Sequence, residues 1–126
     1  MTFATFQIYD NNTISVTLVE GSDGISVVEL NGFLEALESL VNQGTTFSLI
    51  IDASKVVTSN LGFATRIADF MQKNREAFKA RNRATAMIIH SPIVRSVVNA
   101  VFALQPPDTP FKIVTTSIEA HAFLLQ

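Results

Sequence analysis

FSLIIDASKVVTSNLG, residues 47–62, passes from a buried strand to a helix start in a few steps. Phe47, Leu49, Ile50 and Ile51 form an apolar run too short for a helix and suited to a strand covered on both faces of a parallel sheet. Asp52, Ala53 and Ser54 are expected to end it. Thr58-Ser59-Asn60 then offers capping side chains to a long helix whose apolar positions begin at Leu61. In open α/β sheets, ligands and partners meet the carboxyl ends of the strands, so the loop from Ser54 to Gly62 is the place to look for function.

Outward from this segment the pattern is ββαβαβαβα. On the N-terminal side, Phe6 to Asp10 and Thr13 to Glu20 are β-rich runs joined by Asn11-Asn12, residues that tolerate the positive φ of a tight hairpin. Ser26 with Glu29 fits a capping box, and Val27, Leu30, Leu34, Leu37 and Val41 carry a helical stripe that stops at Gly44. Gly32 within that helix suggests close approach to the sheet. On the C-terminal side one helix is expected over about residues 61–81, with Ala64, Ile67, Ala68, Met71 and Phe78 on its apolar face. Its basic end, Lys79, Arg81 and Arg83, suits the negative pole of a helix. Ala84 to Ile89 is a second buried strand, and Ser91-Pro92 is a clear helix start. Phe111 to Thr115 is the last strand, and Thr116 with Glu119 opens the last helix.

These elements predict an α/β fold in one domain over residues 1–126. The sheet is mixed, of about five strands, with an N-terminal antiparallel hairpin, a parallel centre and about four helices. At 126 residues the chain needs no covalent staple, and with no cysteine it has no disulfide, thiol nucleophile or thiolate metal site. No stretch has the roughly 20 apolar residues of a spanning helix, and the first residues lack a signal-peptide pattern. A soluble, cytoplasmic protein is expected.

Charge is lopsided: residues 1–54 hold seven acids and no Lys or Arg, and residues 55–126 hold nine bases and four acids. A pI near 5.6, one tyrosine and no tryptophan nevertheless argue against nucleic acid. Mean hydropathy of +0.32 and ten phenylalanines leave apolar surface for a second subunit or a ligand, and a homodimer is expected. The helix after Pro92 carries an apolar arc wider than one sheet-facing stripe needs. Val97, Val98, Val101 and Phe102 are therefore candidate apolar contacts.

The element order, with LIIDASKV, ATAMIIHS, the apolar helix after Pro92 and FKIVTTSIEAHAFL, resembles the STAS superfamily, and more particularly its SpoIIAA-like proteins. The resemblance implies a regulatory, protein-docking module related to anti-sigma-factor antagonists. Those proteins carry Asp-Ser-Ser-Gly at the start of the second helix, with a serine that a partner kinase phosphorylates. Here the segment reads Thr58-Ser59-Asn60-Leu61-Gly62: the acid is missing, Asn60 stands where the regulated serine would align, and Ser59 meets it only with a one-residue shift. The SpoIIAA-like proteins are also similar in fold to lipid-carrying CRAL-TRIO/Sec14 domains, which implies an apolar-ligand or membrane-surface role as the alternative.

Chemistry has a weaker footing. Asp52, His90 and Thr115 close predicted parallel strands, so a Ser-His-Asp relay with Ser54 can be drawn. It lacks a Gly-x-Ser-x-Gly elbow and a glycine-rich loop for an oxyanion hole. His121 has no ligand partner at a metal-binding spacing. The expectation is a protein without catalysis, metal or cofactor, docking a protein partner through Ser54, Thr58, Ser59, Asn60 and Gly62.

Overall fold

The computed structural model describes residues 3–9, 11–21, 24–57, 60 and 62–125. Two strands, β1 (Ala4–Ile8) and β2 (Thr13–Val19), form the antiparallel hairpin, with Phe6 opposite Val16. Its turn uses Asn12 at φ 60°, and the Asn11 side chain accepts from the Thr13 N–H at 3.2 Å. Helix α1 (Val27–Val41) begins at Ser26, whose hydroxyl accepts from the Glu29 N–H while the Glu29 carboxylate accepts from the Ser26 N–H. This is the expected reciprocal box.

Strand β3 (Phe47–Lys55) is the middle of a single five-stranded sheet ordered β1-β2-β3-β4-β5, where β4 is Asn82–Ile88 and β5 is Phe111–Val114. Every neighbour beyond the hairpin is parallel. Between β3 and β4 the chain forms α2 (Phe63–Lys73) and α3 (Arg75–Arg81); α4 (Pro92–Leu104) joins β4 to β5, and α5 (Ser117–Leu124) follows. Right-handed crossovers between strands that advance in one direction put every crossover helix on one face. The core divides accordingly. Ile14, Val16, Phe47 and Leu49 pack with Leu37 and Val41 of α1 and Val94 and Val98 of α4. On the opposite face Ile50, Ala86, Ile88 and Val114 pack with Ala120 of α5. Alternating residues of β3 thus feed two cores, which is why FSLII shows no polar alternation.

Four sequence expectations need correction. Strand β3 does not end at Asp52–Ser54 but runs on to Lys55, because Thr17 pairs with Asp52 and, after a bulge, Val19 pairs with Lys55. The single helix expected over 61–81 is two. Asn74 breaks it: the buried carboxamide donates to the Phe70 carbonyl at 3.1 Å and to Glu38 of α1 at 2.9 Å, while its own φ leaves the helical range at −104°. Gly32 does not approach the sheet, since a Cβ there would meet nothing within 4 Å. Finally, Arg81 donates to the Val41 carbonyl at 2.8 Å, so it neutralises the C-terminal end of α1 rather than that of its own helix.

Candidate functional site

Because β2, β3, β4 and β5 are parallel, their carboxyl ends lie along one edge of the sheet. The polar residues expected there are present, but each is engaged locally. The Ser54 hydroxyl and N–H both donate to Asp52 Oδ1, at 2.6 and 3.0 Å. His90 Nε2 lies 2.8 Å from the Thr115 carbonyl. A carbonyl can only accept, so Nε2 carries the proton and the ring is drawn toward β5. The Thr115 hydroxyl donates to Glu119 at 2.7 Å. Among the described residues no hydrogen bond joins His90 to Asp52 or to Ser54, and the serine proton points at the carboxylate. The relay drawn from strand order is not assembled.

Glu119 shows a variation on the expected cap. Its N–H donates to the Thr116 hydroxyl at 3.1 Å, but its carboxylate accepts from the hydroxyls of Thr115 and Thr116, not from the N–H of Thr116. The Thr115 hydroxyl first, and the Thr116 hydroxyl second, hold the Glu119 carboxyl below the usual carboxylate range. Among the described residues no group of three His, Cys, Asp or Glu side chains is placed to hold a metal ion. Nor is any helix long and apolar enough to cross a membrane.

The loop after β3 is tied down at one residue. Val57 donates its N–H to the Glu20 carboxylate, and its carbonyl accepts from the Ser91 hydroxyl at 3.0 Å. That same hydroxyl caps α4 by accepting from the Val94 N–H at 3.4 Å. The main chain of Val57 is therefore fixed from both sides while its side chain remains 60% exposed. Farther along, Asn60 Oδ1 accepts from the Gly62 N–H at 2.8 Å and the Asn60 carbonyl from the Phe63 N–H at 2.9 Å. Phe63 then buries itself beside Leu30 and Leu34. A Cβ on Gly62 would lie 3.0 Å from Asn60 Oδ1, the end of an exposed side chain, and Gly62 has a helical φ of −61°, so the turn itself does not demand glycine. Thr58 and Ser59, expected to belong to the same surface, lie outside the described residues.

Val57 is accompanied by other exposed apolar side chains at the same edge. Ile93, in the first turn of α4 and two residues on from Ser91, is 53% exposed; Ile118, in the first turn of α5, is 82% exposed. Val27 and Val28 begin α1, which follows β2 and so starts at this edge too. Sequence reading missed this rim. Val27, Ile93 and Ile118 count there as parts of helical stripes, Val28 and Val57 are not singled out, and only the topology brings the helix starts together. A smaller set, Ile8, Tyr9, Leu104 and Leu125, is exposed at the opposite edge.

No protein-family model matches the chain, and no curated protein matches it. Its geometry therefore has to speak for the site.

Helix α4 does not present its wide arc to solvent. Val97 and Val101 pack against Ala64 and Ala68 of α2, Val98 turns to the sheet core, and Phe102 meets the Phe111 ring edge-on at 4.6 Å. The four candidate apolar contacts are thus turned inward, Phe102 half-buried, and all four line a cavity of about 200 Å³ between the sheet and the crossover helices. Asp52, Ser54 and His90 do not line it, so this cavity and the polar groups at the strand ends are separate features.

Proposed function

We propose that the chain is a non-catalytic docking module of the STAS type, which binds a protein partner through the rim at the carboxyl ends of its strands. The observation that carries this reading is the clamp on Val57. Two main-chain hydrogen bonds, from elements distant in sequence, hold an apolar side chain out in solvent beside the start of α4. A main chain already fixed in place loses little further backbone freedom on binding, which favours an interface. Val57, Ile93 and Ile118 are the apolar anchors, and Asn60 and Gly62 supply a fixed polar turn next to them. The sheet order and the absence of an assembled relay among the described residues support the same reading. A second copy of the chain is one partner that would satisfy it.

Copurification of the untagged protein from its own source tests the proposal, comparing the wild type with Val57→Glu/Ile93→Glu. A protein retained by the wild type and lost from a variant that still melts cooperatively supports docking at the rim. Equal retention by both removes it. Sedimentation at micromolar concentration identifies a second copy as the partner if the wild type exceeds its 13.8 kDa monomer mass and the variant does not.

A further inference from the structure

The geometry points to a binding site for a small, uncharged, hydrophobic molecule in the cavity between the sheet and helices α2 and α4. Its walls are apolar: Ile51 and Met87 from the sheet, Ile67 and Met71 from α2, Val97 and Val101 from α4. Ala64 and Ala68 let α2 close on α4, so the two helices roof the cavity by packing on each other, and Leu30, Phe33, Leu34 and Leu37 of α1 complete its wall. An apolar cavity of about 150 Å³ is already large enough to stay dry and to accept benzene. At about 200 Å³ this one accommodates one or two fused rings.

Polar lining is confined to one end, and it sets the charge of the ligand. Arg75 Nε donates to Asp108 at 3.1 Å, linking the start of α3 to the proline-rich loop before β5. Asn82 Oδ1 accepts from the Thr85 and Thr109 hydroxyls at 3.2 and 2.7 Å, and its amide nitrogen donates to the Ala84 carbonyl. Gln105 adds an uncharged group to this end, and the two charges there, Arg75 and Asp108, offset one another. A carboxylate or ammonium entering the cavity would lose water and meet a cation and an anion already paired, whereas a hydrocarbon ring would supply the contacts that the wall atoms lack. Water is a poor occupant, since it needs two to four polar partners. The cavity lies behind the rim and shares none of Val57, Ile93 or Ile118 with it. Ligand binding and docking therefore stand or fall separately.

The test is a titration of the full chain, labelled at Ile, Val and Met methyl groups, with indole and separately with indole-3-acetate. Indole is expected to give saturable shifts at Ile51, Ile67, Met71, Met87, Val97 and Val101 and none at Val28 or Ile118. Indole-3-acetate should bind at least tenfold more weakly. Val101→Phe, which fills the space, should weaken indole at least tenfold. If that variant does not fold, the wild-type titration decides alone. Shifts that never saturate, or that centre on the surface methyls, overturn the site; equal binding of the acetate overturns its preference for neutral molecules.

Discussion

Gly32 and Gly44 have the same side chain and opposite reasons to be glycine. Gly32 sits within α1 on an exposed face, where an added methyl would meet nothing within 4 Å. Alanine there gains helix propensity and removes freedom from the unfolded chain, together about 1 kcal/mol of stability. Gly44 follows α1 at φ 91°, a conformation that L side chains adopt at a cost, and Gly44→Ala should lose about 1 kcal/mol or more. Urea unfolding of the two variants should move the midpoint in opposite directions with the slope unchanged. A lower midpoint for Gly32→Ala would show that its face of α1 is covered. From sequence, the stop at Gly44 was legible because it lies just past the helical stripe. The meaning of Gly32 was not, because an interior glycine fits close packing and open space equally, and only the neighbouring atoms distinguish them.

At the scale of elements, local signals were legible and distant ones were not. Ser26 with Glu29, Ser91 with Pro92 and Thr116 with Glu119 mark their helices because each cap is made within a few residues. The break between α2 and α3 rests on Asn74 reaching Glu38, 36 residues away, and no period within the helix discloses such a bond. The covering of α4 by α2 was equally hidden, since one amphipathic pattern does not name its neighbour. In the proposed docking loop, Asn60 and Gly62 were singled out from sequence, but the clamp on Val57 was not, as Glu20 and Ser91 come from other strand ends. The Asn74 bond, ahead of the contacts with Lys73, holds the Glu38 carboxyl below its usual range. A lowered folded value means a contribution that is present above the ordinary carboxylate range and lost as pH falls through the folded value. In Asn74→Ala the Glu38 titration, followed by NMR, should move up toward that ordinary range. The variant should also lose about 1–2 kcal/mol at neutral pH for the buried carboxamide's hydrogen bonds. A Glu38 titration unchanged by the substitution would dissociate the helix break from the carboxylate.

For the whole molecule, the strand–helix alternation in the sequence was enough to give a mixed sheet, and the strand order then fixes which parts open first. β3 is paired on both sides and covered on both faces, with Leu49 and Ile50 each 2% exposed. β1 is paired only with β2, and it carries neither a charge nor a proline of the kind that protects a free edge. β5, the other edge, is short, is preceded by Pro110 and carries Lys112. Local opening follows pairing and burial, so native-state hydrogen exchange should be slowest at Leu49, Ile50 and Ala86 and faster by orders of magnitude at the amides of β1 that point away from β2. The Val57 amide, held by Glu20, should exchange more slowly than its exposed position implies. The measurement also bears on self-association. If the outward amides of β1 are as protected as those of β3 at high protein concentration and lose that protection on dilution, a second copy is adding a strand at this edge. The dimer would then continue the sheet through β1 instead of meeting at the strand-end rim, and Val57→Glu/Ile93→Glu would leave it intact.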